Sequence, residues 1–180
     1  MKKEIFQKIE IPDGVNAEIE ENILTVTGPE GENRKKFNIG ELTFKKEGSQ
    51  IIIGYKRATK KEKKMINTIA SHVKNMINGV RKKFEYKLKV CFSHFPISVE
   101  IKGDEAVVKN FLGERIPRRV KILKGVDVAV DKDIITINSS DKELAGQVAA
   151  NFEKATWIRL RDRRVFQDAI VITNKPSEKI

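Results

Sequence analysis

AEIEENILTVTGPEGE, residues 17–32, and VEIKGDEAVVKNFLGE, residues 99–114, carry one pattern twice, 82 positions apart. Adding that offset to Ala17, Ile19, Leu24 and Val26 gives Val99, Ile101, Ala106 and Val108, and Gly31-Glu32 falls on Gly113-Glu114. Apolar and polar residues alternate in both stretches, so alternate side chains share one side of an extended strand. The alternation breaks at Glu20-Glu21-Asn22 and at Lys102-Gly103-Asp104. Both breaks have turn chemistry, and each stretch predicts a hairpin.

Working outward, a second strand pair follows in each half. Phe44, Lys46, Ile51 and Ile53 correspond, at an offset of 84, to Val128, Val130, Ile135 and Ile137. A helix then closes each unit. Thr59-Lys60-Lys61-Glu62 and Ser140-Asp141-Lys142-Glu143 both read S/T-x-x-E, the spacing of a capping box. Met65, Ile66, Ile69, Val73, Met76 and Ile77 fall on one face of the first helix, and Leu144, Val148 and Phe152 on one face of the second. Gly79 suits a stop for the first helix.

The expected fold is α+β: two tandem duplicated domains, each a small antiparallel sheet with one helix packed on one face. Residues 1–82 form the first repeat, 83–173 the second, and 174–180 a polar tail expected to fray. FEYKLKV, residues 84–90, alternates and predicts a strand that opens the second domain.

Composition narrows the function. Lys plus Arg number 36 against 25 Asp plus Glu, a net charge of +11, with an isoelectric point near 9.7. Such a field attracts polyanions, nucleic acid first and an acidic membrane surface second. Cys91 is the one cysteine, which excludes an internal disulfide and a cysteine zinc site. No apolar run has the length of a membrane span, and MKKEIFQKIEIPDG at the start lacks the apolar core of a secretory signal, so a cytoplasmic protein is expected.

Catalysis finds little support. His72 lies beside the apolar positions Ile69 and Val73 and reads as a helix-flank residue. His94 sits in CFSHFP, residues 91–96, next to Ser93 and near Cys91, but nucleophile–base partners normally meet through the fold and not within one short loop. Stacking on RNA and a satisfied structural role are both open for His94. Gly28, Gly31, Gly48 and Gly54 match no phosphate-binding glycine motif, and no calcium-loop pattern occurs. We therefore expect no enzyme, no metal, no cofactor and no small-molecule substrate.

Positive charge is uneven by residue type. Residues 1–80 hold two arginines, Arg34 and Arg57, while residues 81–180 hold eight. Arginine's planar fork suits bidentate phosphate contacts and base stacking, so the second half is the better RNA-facing candidate. The sharpest cluster is WIRLRDRRVF, residues 157–166, with Arg159, Arg161, Arg163 and Arg164, flanked by Trp157 and Phe166. If it begins extended, Arg159 and Arg161 share one face while Ile158 and Leu160 face the core. A solvated loop with Asp162 pairing locally is the alternative. Arg81, Lys82 and Lys83 with Lys87, and Arg115, Arg118 and Arg119 with Lys121, are patches expected to converge with it. Lys175 adds a cation in the tail. KRATKKEKK, residues 56–64, places lysines at a helix start that would welcome a phosphate.

GVRKKFEYKLKVCFSHFPI (79–97), VKNFLGERIPRRVKI (108–122), GVDVAVDKDIITI (125–137), DKELAGQVAANFEKAT (141–156) and VFQDAIVI (165–172) occur in that order. Together with IPDGVNAEIEENILTVTGPEGE (11–32) they resemble the family of the sixth protein of the large ribosomal subunit, archaeal–eukaryotic branch. The resemblance covers residues 5–172. It implies a duplicated α+β fold and direct binding to large-subunit ribosomal RNA, mainly through the second domain. It also implies a place near the subunit interface and the base of the stalk, beside neighbouring ribosomal proteins and close to where translation factors dock transiently. Ser93, His94, Phe95 and Pro96, and the arginine-rich C-terminal stretch, match segments that lie against RNA in the family. Ala169 departs from the pattern, which commonly has Gly after the residue matching Asp168. A free module for transfer or messenger RNA and a protein-interaction scaffold are the rival readings.

Overall fold

A computed structural model describes residues 3–176 and the backbone of residues 178 and 179. The chain divides into two compact units, Met1–Lys83 and Phe84–Ile180. Each is built from antiparallel strands and one long helix, so the α+β class and the duplication expected from the repeat are present.

In unit 1 the alternating stretch forms β2 (Asn16–Glu20) and β3 (Ile23–Gly28), joined at the predicted break, with β4 (Gly31–Lys36) added to the far side of β3. A second sheet pairs β1 (Lys3–Glu10) with β6 (Gln50–Ala58), and β6 with β5 (Thr43–Glu47). The sequence pattern predicts one small sheet per repeat; the strands divide into two sheets, and α1 (Lys60–Arg81) packs on both. Ile66, Ile69, Val73, Met76 and Ile77 of the helix meet Leu24, Val26, Ile51 and Ile53 of the strands in one core. The helix starts at the expected capping box: the Thr59 hydroxyl accepts from the Lys61 N–H (3.3 Å), and the Glu62 carboxylate accepts from the Thr59 N–H (2.8 Å). Bonds from Thr59 hold the Glu62 carboxyl below the usual carboxylate range.

Unit 2 repeats this plan. β7 (Phe84–Cys91) takes the place of β1, and β8 (Ser98–Lys102) and β9 (Glu105–Lys109) take the place of the first hairpin. A 3-10 turn (Phe111–Gly113) precedes β10 (Arg118–Lys121), and β11 (Asp127–Asp131), β12 (Ile134–Ser139) and α2 (Lys142–Ala155) follow. Beyond the helix the unit adds β13 (Ala169–Lys175), which pairs with the edge of β7 that has no counterpart partner among the described residues of unit 1, and β14 (Glu178–Lys179). The sheets run β8-β9-β10 and β11-β12-β7-β13-β14. Leu88, Ile135, Ile137 and Ile170 meet Val148 and Phe152 of α2 in a second core.

Three local expectations change. The cap of α2 is Asp141, whose carboxylate accepts from the Glu143 N–H (2.8 Å), and not Ser140 one position earlier. Asp and Ser cap about equally well, and Ser139, buried and bonded to the Gly125 carbonyl (2.8 Å), anchors the chain one residue before Ser140 and two before Asp141. Gly79 does not stop α1, which runs on to Arg81. Val80 is fully buried, and its carbonyl accepts from the Glu30 N–H in the β3–β4 turn (2.9 Å), so packing carries the helix past the glycine. The segment 174–180, set apart as a tail, continues as strand: Asn174 and Lys175 end β13, and they pair with Lys179 and Glu178. Ser177 and Ile180 lie outside the described residues.

The contact between α1 and the β3–β4 turn leaves no room at Gly28, where an added Cβ would sit 2.8 Å from the Val80 carbonyl oxygen and 2.9 Å from its side chain. Gly28→Ala should therefore destabilise the protein by about 1–3 kcal/mol through overpacking, read as a lowered urea midpoint.

Candidate nucleic-acid interface

Three connections of unit 2 meet at one end of the fold: residues 92–97 after β7, residues 110–117 before β10, and residues 156–168 between α2 and β13. A single carboxylate joins the first to the third. Asp168 is 1% exposed and accepts hydrogen bonds from the Ser93 N–H (2.5 Å), the His94 N–H (3.1 Å) and the His94 Nδ1. Burial pulls this carboxyl upward, but the Ser93 N–H, the His94 side chain and the His94 N–H together hold it below the usual carboxylate range. The His94 ring lies stacked on Phe166, with centroids 5.0 Å apart, and the Arg161 guanidinium sits 4.8 Å from the Phe166 centroid. His94 thus has a satisfied structural side at Nδ1 while its ring stays in the exposed loop.

The second connection is tied in by two contacts. The Asn110 side-chain amide donates to the Pro96 carbonyl (2.9 Å), and Phe95 packs against Gly113, whose φ of +78° suits glycine. Arg118 closes the other side. Two of its nitrogens donate to the Glu114 carboxylate (2.8 and 2.5 Å), a third donates to the Ala155 carbonyl (2.6 Å), and the guanidinium lies 4.2 Å from the Phe111 centroid. The hydrogen bonds from Arg118 hold the Glu114 carboxyl low. Arg118, expected as a phosphate ligand, has its fork engaged inside the unit by Glu114 and the Ala155 carbonyl.

The arginine stretch departs from its expected shape. Residues 157–168 form no strand. Ile158 is buried as expected, but Leu160, expected to face the core, is fully exposed with φ +57°. A positive φ turns the chain at Leu160 and ends the alternation after one residue. Arg163 stacks over the Trp157 ring (4.4 Å), and Trp157 is 51% exposed. Arg164 pairs with Asp162 (2.8 Å), the local pairing named as the alternative; the bonds from Arg164 keep the Asp162 carboxyl low. Arg159 is exposed and lines, with Arg118 and Arg161, a cavity of about 330 Å³.

The structure therefore brings together Ser93, His94, Phe95, Arg115, Arg118, Trp157, Arg159, Arg161, Arg163 and Arg164. Other candidates of unit 2 lie apart. Arg119 pairs across the sheet with Glu105 (3.7 Å), and Lys121 is exposed at the far end of β10. Lys87 pairs with Glu85 (3.1 Å), and its strand neighbour is Asn174, beside Lys175. Four residues along β7 separate Lys87 from Cys91, about 13 Å at strand rise, so Lys87 and Lys175 sit away from the cluster. Arg81, Lys82 and Lys83 belong to unit 1 at the end of α1, where Arg81 lines a shallow cavity with Lys8 and Lys74. Reading residue by residue missed Asp168 and Phe111. An aspartate directly before the apolar run of β13 was the available signal for the former.

Asp168→Asn keeps the shape but removes the charge that three donors address. It should cost about 1.5–3 kcal/mol in urea unfolding and free the 92–96 loop, seen as faster amide exchange at Ser93 and His94. Because the folded carboxyl is held low, its contribution is present above the ordinary carboxylate range and is lost as pH falls through the folded value. The gap between the wild type and Asp168→Asn should close on acidification.

With this geometry in place, comparison with known proteins is specific. The model of the family described as Ribosomal protein L6 matches residues 11–83 and 95–169, one stretch in each unit. The chain is 42% identical over 175 residues to large ribosomal subunit protein uL6 of Methanothrix thermoacetophila, covering 97% of this chain and 99% of that one. It is 43% identical over 171 residues to the protein of the same name from Methanobrevibacter smithii (95% and 96%), and 43% over 169 residues to that of Ignicoccus hospitalis (91% of each). The chain belongs to the ribosomal protein L6 family.

Proposed function

We propose that this chain is a structural constituent of the large ribosomal subunit and that its second unit binds large-subunit ribosomal RNA through the surface formed by residues 92–96, 110–118 and 157–166. One observation carries this reading: exposed arginines and exposed rings converge on one rigidly tied end of unit 2, with Phe95 and Trp157 among Arg115, Arg159, Arg161 and Arg163. Guanidinium groups contact phosphates and rings stack on unpaired bases, so the combination recognises folded RNA by shape and not by base sequence. The names of the relatives, large ribosomal subunit proteins, support the same assignment.

Binding neutralises phosphate repulsion where RNA elements pack closely, and released counterions drive it. The chain works on cytoplasmic ribosomes, near the subunit interface and the stalk base. Unit 1, poorer in arginine, faces neighbouring ribosomal proteins and the transient translation factors. No helix among the described residues is long and apolar enough to cross a membrane.

Changing Arg159, Arg161, Arg163 and Arg164 together to Gln should leave the thermal transition in place, since all four are exposed. In filter binding to purified large-subunit rRNA it should lower the slope of log K against log salt by about 1 for each phosphate that is no longer neutralised. An unchanged affinity and slope would remove this segment from the interface. In sucrose gradients the wild-type chain should sediment with large subunits; recovery in the light fractions would favour a free module instead.

A further inference from the structure

The cavity between the 3-10 turn, the end of α2 and residues 157–161 has the dimensions of a ligand site. Its volume of about 330 Å³ falls within the range of about 300–1,000 Å³ found for small-molecule clefts. Phe111, Trp157 and Ile158 supply apolar walls, and Arg118, Lys154, Arg159 and Arg161 supply cations against the one carboxylate of Glu114. Arg118 is held by Glu114 and the Ala155 carbonyl, so it forms wall; Arg159 and Arg161 stand exposed at the opening. A planar aromatic group bearing an anion fits such a site, and a nucleotide is both.

Two apolar side chains flank it without cover. Leu160 is fully exposed and Ile116 is 81% exposed. Leu160 stands between the lining residues Arg159 and Arg161, and Ile116 lies two positions from each of the lining residues Glu114 and Arg118. Each also stands among arginines, in Arg115-Ile116-Pro117-Arg118 and in Arg159-Leu160-Arg161. The Leu160 backbone is left-handed, φ +57°, a conformation in which the Cβ of an L residue crowds the following carbonyl oxygen. Within the chain this leucine gains nothing for its strain, because its side chain is in water. Strain of that kind persists at sites where a partner uses it.

Resting on the reading of unit 2 as an RNA-binding surface, we infer that this cavity seats one base unstacked from the bound RNA. Leu160 and Ile116 then pack against the bases it leaves behind, and Arg159 and Arg161 hold the phosphates on either side. Recognition of RNA commonly takes splayed bases onto aromatic side chains, and apolar wedges stabilise opened base steps in nucleic-acid complexes. The charge that attracts RNA and the apolar contacts that select an opened base reside in different side chains, which makes the two separable.

The test uses the full chain and purified large-subunit rRNA, with the double variant Leu160→Gln/Ile116→Gln beside Arg159→Gln/Arg161→Gln. The first removes no charge and alters side chains already in water. It should lose about tenfold in affinity, in keeping with the usual contribution of one stacked base, with the salt slope unchanged. Dimethyl sulfate probing should show a base protected in the wild-type complex that regains reactivity with this variant. The arginine pair should lower the salt slope. Wild-type affinity and protection in Leu160→Gln/Ile116→Gln, together with weakening in the arginine variant, would overturn base insertion and leave the RNA reading standing. A loss accompanied by a reduced slope would overturn it as well, since fewer phosphates would then be neutralised. Failure of the wild-type chain to bind the rRNA would remove the RNA reading itself.

Discussion

The buried carboxylate of Asp168 is the constraint on which the surface of unit 2 depends. A charge with so little exposure is costly unless donors surround it, and three hydrogen bonds from Ser93 and His94 meet that requirement. The same bonds fix the relation of two connections that are 74 and 75 positions apart in the chain. Once His94 is held, its ring sets Phe166 by stacking, and Phe166 gives Arg161 a surface to lie on. One buried group thereby orders a run of exposed ones. A surface ordered in advance loses less side-chain freedom on binding than a set of loose arginines would.

Comparing the two units shows where unit 2 departs from a common template. In unit 1, Pro29 and Glu30 alone join β3 to β4; in unit 2 the equivalent connection is residues 110–117 and carries Phe111, Glu114, Arg115 and Ile116. In unit 1, β1 is the edge of its sheet, with Lys3 and Lys8 along it and Phe6 laid over Gly54, where an added Cβ would fall 2.2 Å from the ring. Charged side chains on an edge discourage pairing with another chain. In unit 2 the same edge is occupied by β13, and the path from α2 to β13 is the arginine-rich connection. Covering the edge and presenting the cations are consequences of one extension of the chain.

The hairpins, the helices and the duplication were legible in the sequence because they rest on local periodicity. Ala17 and Val26 are buried where alternation puts them, and so are Ala106, Val108, Ile135 and Ile137. β4 was not legible: its residues Glu32 to Lys36 are all polar, and the strand exists because β3 offers it a ladder from Gly28↔Gly31 to Ile23↔Lys36. The stop at Gly79 failed because a tertiary hydrogen bond to Val80 outweighs a glycine's local preference. The cationic residues of the candidate site were visible from composition and spacing. Their arrangement was not, since Asp168 with Ser93 and Arg118 with Ala155 are contacts between distant positions that leave no mark on either stretch alone. Leu160 misled for a related reason: alternation predicts a strand only while φ stays negative.

How the arginines are held decides what they can do. Arg164 with Asp162, Arg119 with Glu105 and Arg118 with Glu114 are ion pairs, in which a neighbouring carboxylate offsets the charge. Arg161 on Phe166 and Arg163 on Trp157 are held by rings instead. A ring orients a guanidinium through its quadrupole and adds no negative charge, so the positive field outside is kept. Exposed ion pairs contribute only about 0–1 kcal/mol, and an approaching phosphate can displace the carboxylate from Arg164 or Arg119 at small cost. The surface thus holds ring-ordered cations, Arg161 and Arg163, together with the ion-paired Arg118 and Arg164. That division follows from which side chains the fold sets next to aromatic rings.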